Sequence, residues 1–128
     1  MTMSTINVPA VSTADFQANA TQDDNGVSVR LTGNADVRVM ASLDTMLRAL
    51  SSELERLPVP EVVVDMRNLQ FMNSSCFKSF VTWLGQVQEM EPGRQYRFRF
   101  LSDANKHWQK RSLAALSCFA MELVRIES

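Results

Sequence analysis

Residues 61–76 read EVVVDMRNLQFMNSSC, an apolar run that leads into a short polar turn. The three valines at 62–64 are apolar on both faces of an extended chain, which is typical of a central strand covered by helices. After the turn, apolar residues recur at three- and four-residue steps over residues 77–87, as they do in an amphipathic helix. The stretch therefore predicts a central strand over residues 61–66, a polar turn at 71–76, and a helix.

The same alternation of strand and helix extends over the rest of the chain. Strands are predicted at residues 16–22, 27–32, 61–66, 96–100 and 120–126, and helices at residues 40–57, at residues 77–87 and after Asp103 or Asn105. Such alternation implies crossover connections and a parallel sheet, to which the opening strand pair adds an antiparallel strand. We predict an α/β fold: a small mixed, mostly parallel sheet of four to five strands with helices packed on it.

The length of 128 residues suffices for one hydrophobic core. Residues 1–14 are small and polar and lack periodicity, which predicts a mobile leader, and residues 15–128 are expected to form the domain. The N-terminal residues do not match a signal peptide, and no apolar run approaches the ~20 residues of a membrane helix. We therefore expect a cytoplasmic protein without a membrane partner.

The net charge of the chain indicates which kinds of partner it can bind. A net charge of −1 and a pI near 5.8 argue against a nucleic-acid partner. Arg94, Arg97 and Arg99 form a local basic cluster, which we interpret as the solvated face of a strand. We expect a monomer or a weak dimer.

Common catalytic and metal-binding patterns are absent from the sequence. His107 is the single histidine, and there is no Gly-x-Ser-x-Gly elbow or glycine-rich phosphate loop. Cys76 and Cys118 are far apart and lack the spacing of metal ligands. We therefore expect no enzyme activity, no cofactor and no metal site.

Two adjacent serines, Ser74 and Ser75, lie where the central strand gives way to a helix. A helix N-terminus presents unpaired N–H groups and the positive end of the helix dipole, so a phosphate on a serine there would be stabilised. The simpler interpretation is that Asn73 or Ser74 is the N-cap of the helix, since both residue types are preferred there. Both interpretations stay open at this point.

Three segments together resemble a known family. They are LTGNAD at residues 31–36, VVVD at 62–65 and FMNSSC at 71–76. In order and spacing they resemble the STAS domain of bacterial anti-sigma factor antagonists. In that family a small sheet carries packed helices, and the segment after the central strand reads Asp-Ser-Ser/Thr-Gly. The first serine of that segment is phosphorylated by a partner that is both a protein kinase and an anti-sigma factor.

The resemblance implies specific roles for residues of this chain. Ser74 matches the phosphorylated serine, with Ser75 as the alternative acceptor, and Gly33 and Asp36 match a Gly-x-x-Asp loop. Asn73 replaces the family aspartate, Cys76 replaces the glycine, and Phe77-Lys78 replace a small or aliphatic pair. The implied partner-binding surface comprises Gly33, Asp36, Asn73, Ser74, Ser75, Cys76 and Phe77.

The implied function is a non-enzymatic, protein-binding regulatory module switched by phosphorylation of Ser74. Its partners would be an anti-sigma-like serine kinase and, as a second candidate, a PP2C-like phosphatase. Two alternatives remain: a STAS-like adaptor that is not phosphorylated, and a module that binds a nucleotide or lipid. The second alternative is supported by Trp108 and the arginine-bearing strand alone.

Overall fold

A computed structural model describes residues 8–23, 26–57 and 59–128, which form a six-stranded sheet and three α-helices. The strands are β1 (Val11–Ser12), β2 (Phe16–Asp23), β3 (Gly26–Ala35), β4 (Glu61–Met72), β5 (Arg97–Leu101) and β6 (Val124–Glu127). The helices are α1 (Met40–Arg56), α2 (Ser74–Gln88) and α3 (His107–Phe119), and a 3₁₀ turn at Val37–Val39 precedes α1.

The strands lie in the sheet in their order along the chain. The pairs β1–β2 and β2–β3 are antiparallel, and the pairs β3–β4, β4–β5 and β5–β6 are parallel. The predicted fold class, a mixed and mostly parallel α/β sheet with packed helices, is therefore confirmed. The strand count is six rather than the predicted four to five.

The additional strand β1 lies inside the segment that we predicted to be a leader. Val11 is buried and pairs with Ala18 of β2. The turn between them is held by Thr13, whose hydroxyl donates to the carbonyl oxygen of Phe16 (3.2 Å) and accepts from the Phe16 N–H (3.0 Å). A two-residue strand carries no readable periodicity, so the sequence placed the start of the sheet too late. Residues 1–7 of the predicted leader lie outside the described residues.

One face of the sheet is buried beneath the helices. The register aligns Val29 of β3 with Val64 of β4, and Val64 with Phe100 of β5, and all three side chains are almost fully buried. Burying side chains of this size contributes about 1.5–3 kcal/mol each. The leucine and methionine stripe of α1 packs onto the same core, as the helix prediction required.

Strands β3 and β4 both run further than predicted. We expected β4 to end at Met66 and the chain to leave β3 at Gly33, yet the two strands stay paired as far as Ala35 and Met72. Gly33 has a φ of 94°, and a Cβ there would lie 2.0 Å from the Asp15 carbonyl oxygen. Gly33 thus permits a register shift within the β3–β4 pair and does not end the strand.

The last third of the chain also differs from the prediction. Helix α3 runs as far as Phe119, and β6 begins at Val124 instead of residue 120. The N-cap of α3 is Lys106 instead of Asp103 or Asn105, and the Lys106 side chain makes no capping hydrogen bond. By sequence pattern the apolar and small residues on one side of α3 are Trp108, Ser112, Ala115 and Leu116, whereas the residues buried in the structure are Gln109, Leu113 and Leu116. Apolar residues recur only weakly at helical spacing in α3, so the buried face predicted from sequence is displaced by one residue.

Gln109 is a fully buried amide that secures the irregular part of β4. Its Nε2 donates to the carbonyl oxygens of Met66 (2.6 Å) and Leu69 (3.0 Å), and its Oε1 accepts from the Asp103 N–H (2.9 Å). The register of β4 against β3 shifts in this region. The amide therefore satisfies buried backbone groups that the strand ladder does not reach.

Replacing Gln109 by leucine should destabilise the protein by about 2–3 kcal/mol, because two buried carbonyls and one N–H would lose their partner. Urea unfolding measures this loss. The matched control is Lys110→Leu on the exposed neighbouring residue, which should change stability by no more than about 0.5 kcal/mol. Equal losses in the two variants would show that the amide has no special role.

Candidate functional site

The site lies at the edge of the sheet where β3 and β4 end side by side. The Asn73 N–H donates to the carbonyl oxygen of Ala35 (2.7 Å), and the Cys76 thiol donates to the carbonyl oxygen of Asp36 (3.5 Å). These two bonds join the end of β3 to the start of α2. The structure thus brings residues 35–36 together with residues 73–76, whereas Gly33 lies further along β3 and pairs with Leu69.

Asn73 is the N-cap of α2. It is extended (φ −64°, ψ 148°), its Oδ1 accepts from the Ser75 N–H (2.7 Å), and its carbonyl oxygen accepts from the Phe77 N–H (3.0 Å). Of the two capping residues that the sequence allowed, the structure selects Asn73. Ser74 is the first residue of the helix, and its side chain is not needed for the cap.

The two serines differ in exposure. Ser74 is exposed and Ser75 is half-buried. Within the described part of the chain, the Ser74 hydroxyl makes no hydrogen bond. It stands at the first position of a 15-residue helix, where the helix dipole stabilises added negative charge. Ser74 is therefore the more accessible acceptor.

Asp36 is the charged group of the neighbouring loop. Its Oδ1 caps the 3₁₀ turn by accepting from the Arg38 N–H (2.9 Å), and its Oδ2 accepts from the Arg38 guanidinium (2.6 Å). The hydrogen bond from Arg38 lowers the pKa of Asp36, so the carboxylate is ionised at neutral pH. Asp15 lies 3.5 Å from the same guanidinium. Two carboxylates therefore share one cation beside the serine turn.

Cys76 is buried against that loop. Burial raises the pKa of its thiol, and the negative charge of Asp36 raises it further, so the thiol is protonated at neutral pH. A protonated, buried thiol is a poor nucleophile and a poor metal ligand. Among the described residues, no group of three His, Cys, Asp or Glu side chains is arranged to hold a metal ion.

Exposed apolar side chains border the turn. Val37 is 62% exposed and Phe71 is 47% exposed. Phe71 pairs with Asn34 and, in the register of the sheet, lies on the face opposite the helices. Three further apolar residues, Met66, Met72 and Phe77, flank the turn in the sequence. Met66 is buried and the other two are half-buried.

Three other residues considered in the sequence, Arg99, Trp108 and His107, lie outside the serine turn. Arg99, predicted to lie on a solvated strand face, is half-buried and pairs with Glu61 (3.4 Å) and Glu127 (3.3 Å). Trp108 is half-buried against the core, and His107 is exposed at the start of α3. Within the described part of the chain, the Nε1 of Trp108 and the Nε of Arg99 are buried and make no hydrogen bond. None of the described helices combines the length and the apolar character needed to cross a membrane.

Removing the Asn73 cap should cost about 1 kcal/mol of folding free energy, because the Ser75 N–H would lose its acceptor. Asn73→Ala tests this in urea unfolding, and Asn73→Asp, which keeps the oxygen acceptor, is the control that should retain stability. Ser74→Ala should stay within about 0.5 kcal/mol of the parent protein. A larger loss for Ser74→Ala than for Asn73→Ala would contradict the assignment of the cap.

Comparison with solved structures connects this geometry to known proteins. The crystal structure of an anti-sigma factor antagonist from Mycobacterium paratuberculosis matches with a TM-score of 0.61 and 16% identity, over 84% of this chain and 86% of that chain. The anti-sigma factor antagonist SpoIIAA in its unphosphorylated form matches with a TM-score of 0.57 and 18% identity, over 87% and 88% of the two chains. Family models and curated proteins give no match. The predicted resemblance is thus confirmed for the fold: the chain has the STAS fold of solved anti-sigma factor antagonists.

Proposed function

We propose that this protein is a non-enzymatic regulatory module that acts as an anti-sigma factor antagonist and is switched by phosphorylation of Ser74. Its partner would be a serine kinase with anti-sigma activity. The observation that carries the proposal is the position of Ser74, exposed at the first residue of α2 and beside the Asp36 loop, in a fold shared with such antagonists.

A phosphate on Ser74 is compatible with the folded domain. The N-terminus of α2 stabilises negative charge. Lys78, four residues further along the same helix, is exposed and within reach of an i,i+4 interaction. Because Asn73 forms the cap, the Ser74 oxygen is available for modification without loss of a structural hydrogen bond. Phosphorylation should therefore leave the fold intact.

The same phosphate would oppose binding of a partner. It adds close to two negative charges at pH 7, beside the ionised Asp36 and near Asp15. Val37 and Phe71 give the surrounding surface an apolar character, and burying a doubly charged group in such an interface carries a desolvation cost. The switch would then act through binding affinity.

The departures from the family pattern fit this mechanism. Asn73 keeps the oxygen acceptor that an aspartate would supply at the cap. Cys76 lies within α2, and the described residues with positive φ are the glycines Gly26 and Gly33. The conformational freedom of a glycine is therefore not needed at position 76. Neither substitution removes a feature that the proposed switch requires.

Phosphorylation itself is the direct test. We expect that incubation with ATP and a serine kinase encoded beside this protein places one phosphate on Ser74, located by mass spectrometry. Ser74→Ala should abolish the modification and Ser75→Ala should retain it. The phosphorylated protein should bind the kinase at least about tenfold more weakly than the unmodified protein, since burying a doubly charged group in the interface carries a desolvation cost. Modification of neither serine, or unchanged affinity after modification, would refute the proposal.

The apolar border of the turn provides a second test. Phe71→Ala should weaken kinase binding about tenfold or more, the effect of losing a large aromatic contact from an interface. Phe119→Ala is a matched control, because Phe119 is also 47% exposed but lies at the end of α3. Calorimetric titration of both variants measures the difference. Equal affinities would show that the partner does not cover Phe71.

A further inference from the structure

Strand β6 (Val124–Glu127) forms one edge of the described sheet and pairs there with β5 alone. An unpaired edge offers a row of N–H and C=O groups to another strand. Ile126 is 39% exposed on this strand. The edge is therefore available for pairing, and its sequence determines which partner fits.

The hydrogen bonds between β5 and β6 show which backbone groups of β6 point outward from the sheet. The carbonyl oxygens of Leu123 and Glu127 accept from the N–H groups of Phe98 and Ser102. Because backbone groups of successive residues in a strand point to alternate sides, the N–H and C=O of Val124 and Ile126 point away from β5. The Val124 N–H already donates to the Ala120 carbonyl oxygen (3.1 Å), so the N–H and C=O of Ile126 are the pair that an added strand would bond.

The side chains of β6 divide between the two faces of the sheet. Ile126 pairs with Phe100 and lies on the helix-covered face, whereas Arg125 and Glu127 lie on the open face. Arg125 has a loose contact with Glu127 (3.9 Å between Nε and Oε2). The open face of the edge thus carries a cation and an anion two residues apart.

We propose that β6 pairs antiparallel with β6 of a second copy of this chain, with Ile126 opposite Ile126. In this register each Arg125 faces Glu127 of the other copy, so two opposite-charge pairs form across the twofold axis. The outward N–H and C=O of the two Ile126 residues then bond to each other, as in a hydrogen-bonded antiparallel pair. The interface is isologous and closes the sheet edge of both copies.

Charge excludes the neighbouring registers. A shift that keeps the outward groups paired would place Arg125 opposite Arg125 or Glu127 opposite Glu127, and like charges directly opposite are destabilising. The Ile126-centred register is the one in which both charge and hydrogen bonding are complementary. Four residues make a small interface, so the dimer is weak and concentration-dependent.

This inference is independent of the proposed function. Strand β6 is separated from β4, which leads into the Ser74 turn, by β5. Variants of β6 should therefore change self-association without changing phosphorylation of Ser74, and the two proposals can fail separately.

Sedimentation equilibrium over a concentration series tests the dimer. Arg125→Glu and Glu127→Arg should each weaken self-association by about tenfold, because each turns two attractive pairs into two repulsive ones. An equimolar mixture of the two variants should restore association, since both acidic side chains of one variant then face both arginines of the other. At concentrations where the dimer is populated, hydrogen exchange of the Ile126 amide should slow.

The matched control is Arg97→Glu, the same charge reversal on an exposed arginine of the adjacent strand β5, which should leave association unchanged. Melting temperatures verify that all variants fold. A protein that is monomeric up to its solubility limit would overturn the proposal. So would a dimer that the Arg125 and Glu127 variants do not affect, or one that the mixture fails to restore.

Discussion

The parallel pairing of β3 with β4 is the interaction on which the site depends. It runs from Val27 opposite Val62 to Ala35 opposite Met72, so both strands end at the same level. The Asn73 N–H bond to Ala35 then joins the two strand ends. A shift of one residue in this pair would turn every side chain of one strand to the other face. The adjacency of Ser74 and Asp36 is therefore a consequence of sheet register.

Two residues, Gly33 and Gln109, accommodate the register shifts in the β3–β4 pair. Gly33 permits the close approach of the Asp15 carbonyl, and Gln109 supplies hydrogen bonds to the carbonyls of Met66 and Leu69. Because of these register shifts, Phe71 lies on the exposed face although it follows a buried strand. Residues far from the turn thus set the apolar character of the surface around it.

Much of this architecture was predictable from sequence, and the misses have physical causes. The valines of β4 and the stripe of α1 follow strong periodicities. Parallel strands end at one edge of a sheet, which brings Asp36 near Ser74 as the family resemblance implied. Strand β1 is too short to show a period. In β4, a register shift interrupts the alternation of buried and exposed side chains, and this shift places Phe71 on the exposed face. Gln109 gave no signal, since a buried glutamine is recognisable only by the backbone groups that it bonds. Choosing Asn73 over Ser74 as the cap required the dihedral angles.

The contrast between the two cysteines has a practical consequence. Cys76 is buried beneath the Asp36 loop and protonated, whereas Cys118 is exposed near the end of α3. A thiol-reactive fluorophore would therefore attach selectively at position 118 in the unmodified sequence. Gln88, the last residue of α2, donates to the Phe119 carbonyl oxygen (3.0 Å), so such a label would lie beside the end of α2 that is remote from the serine turn. Unintended labelling of position 76 would itself reveal an opening of the loop against α2.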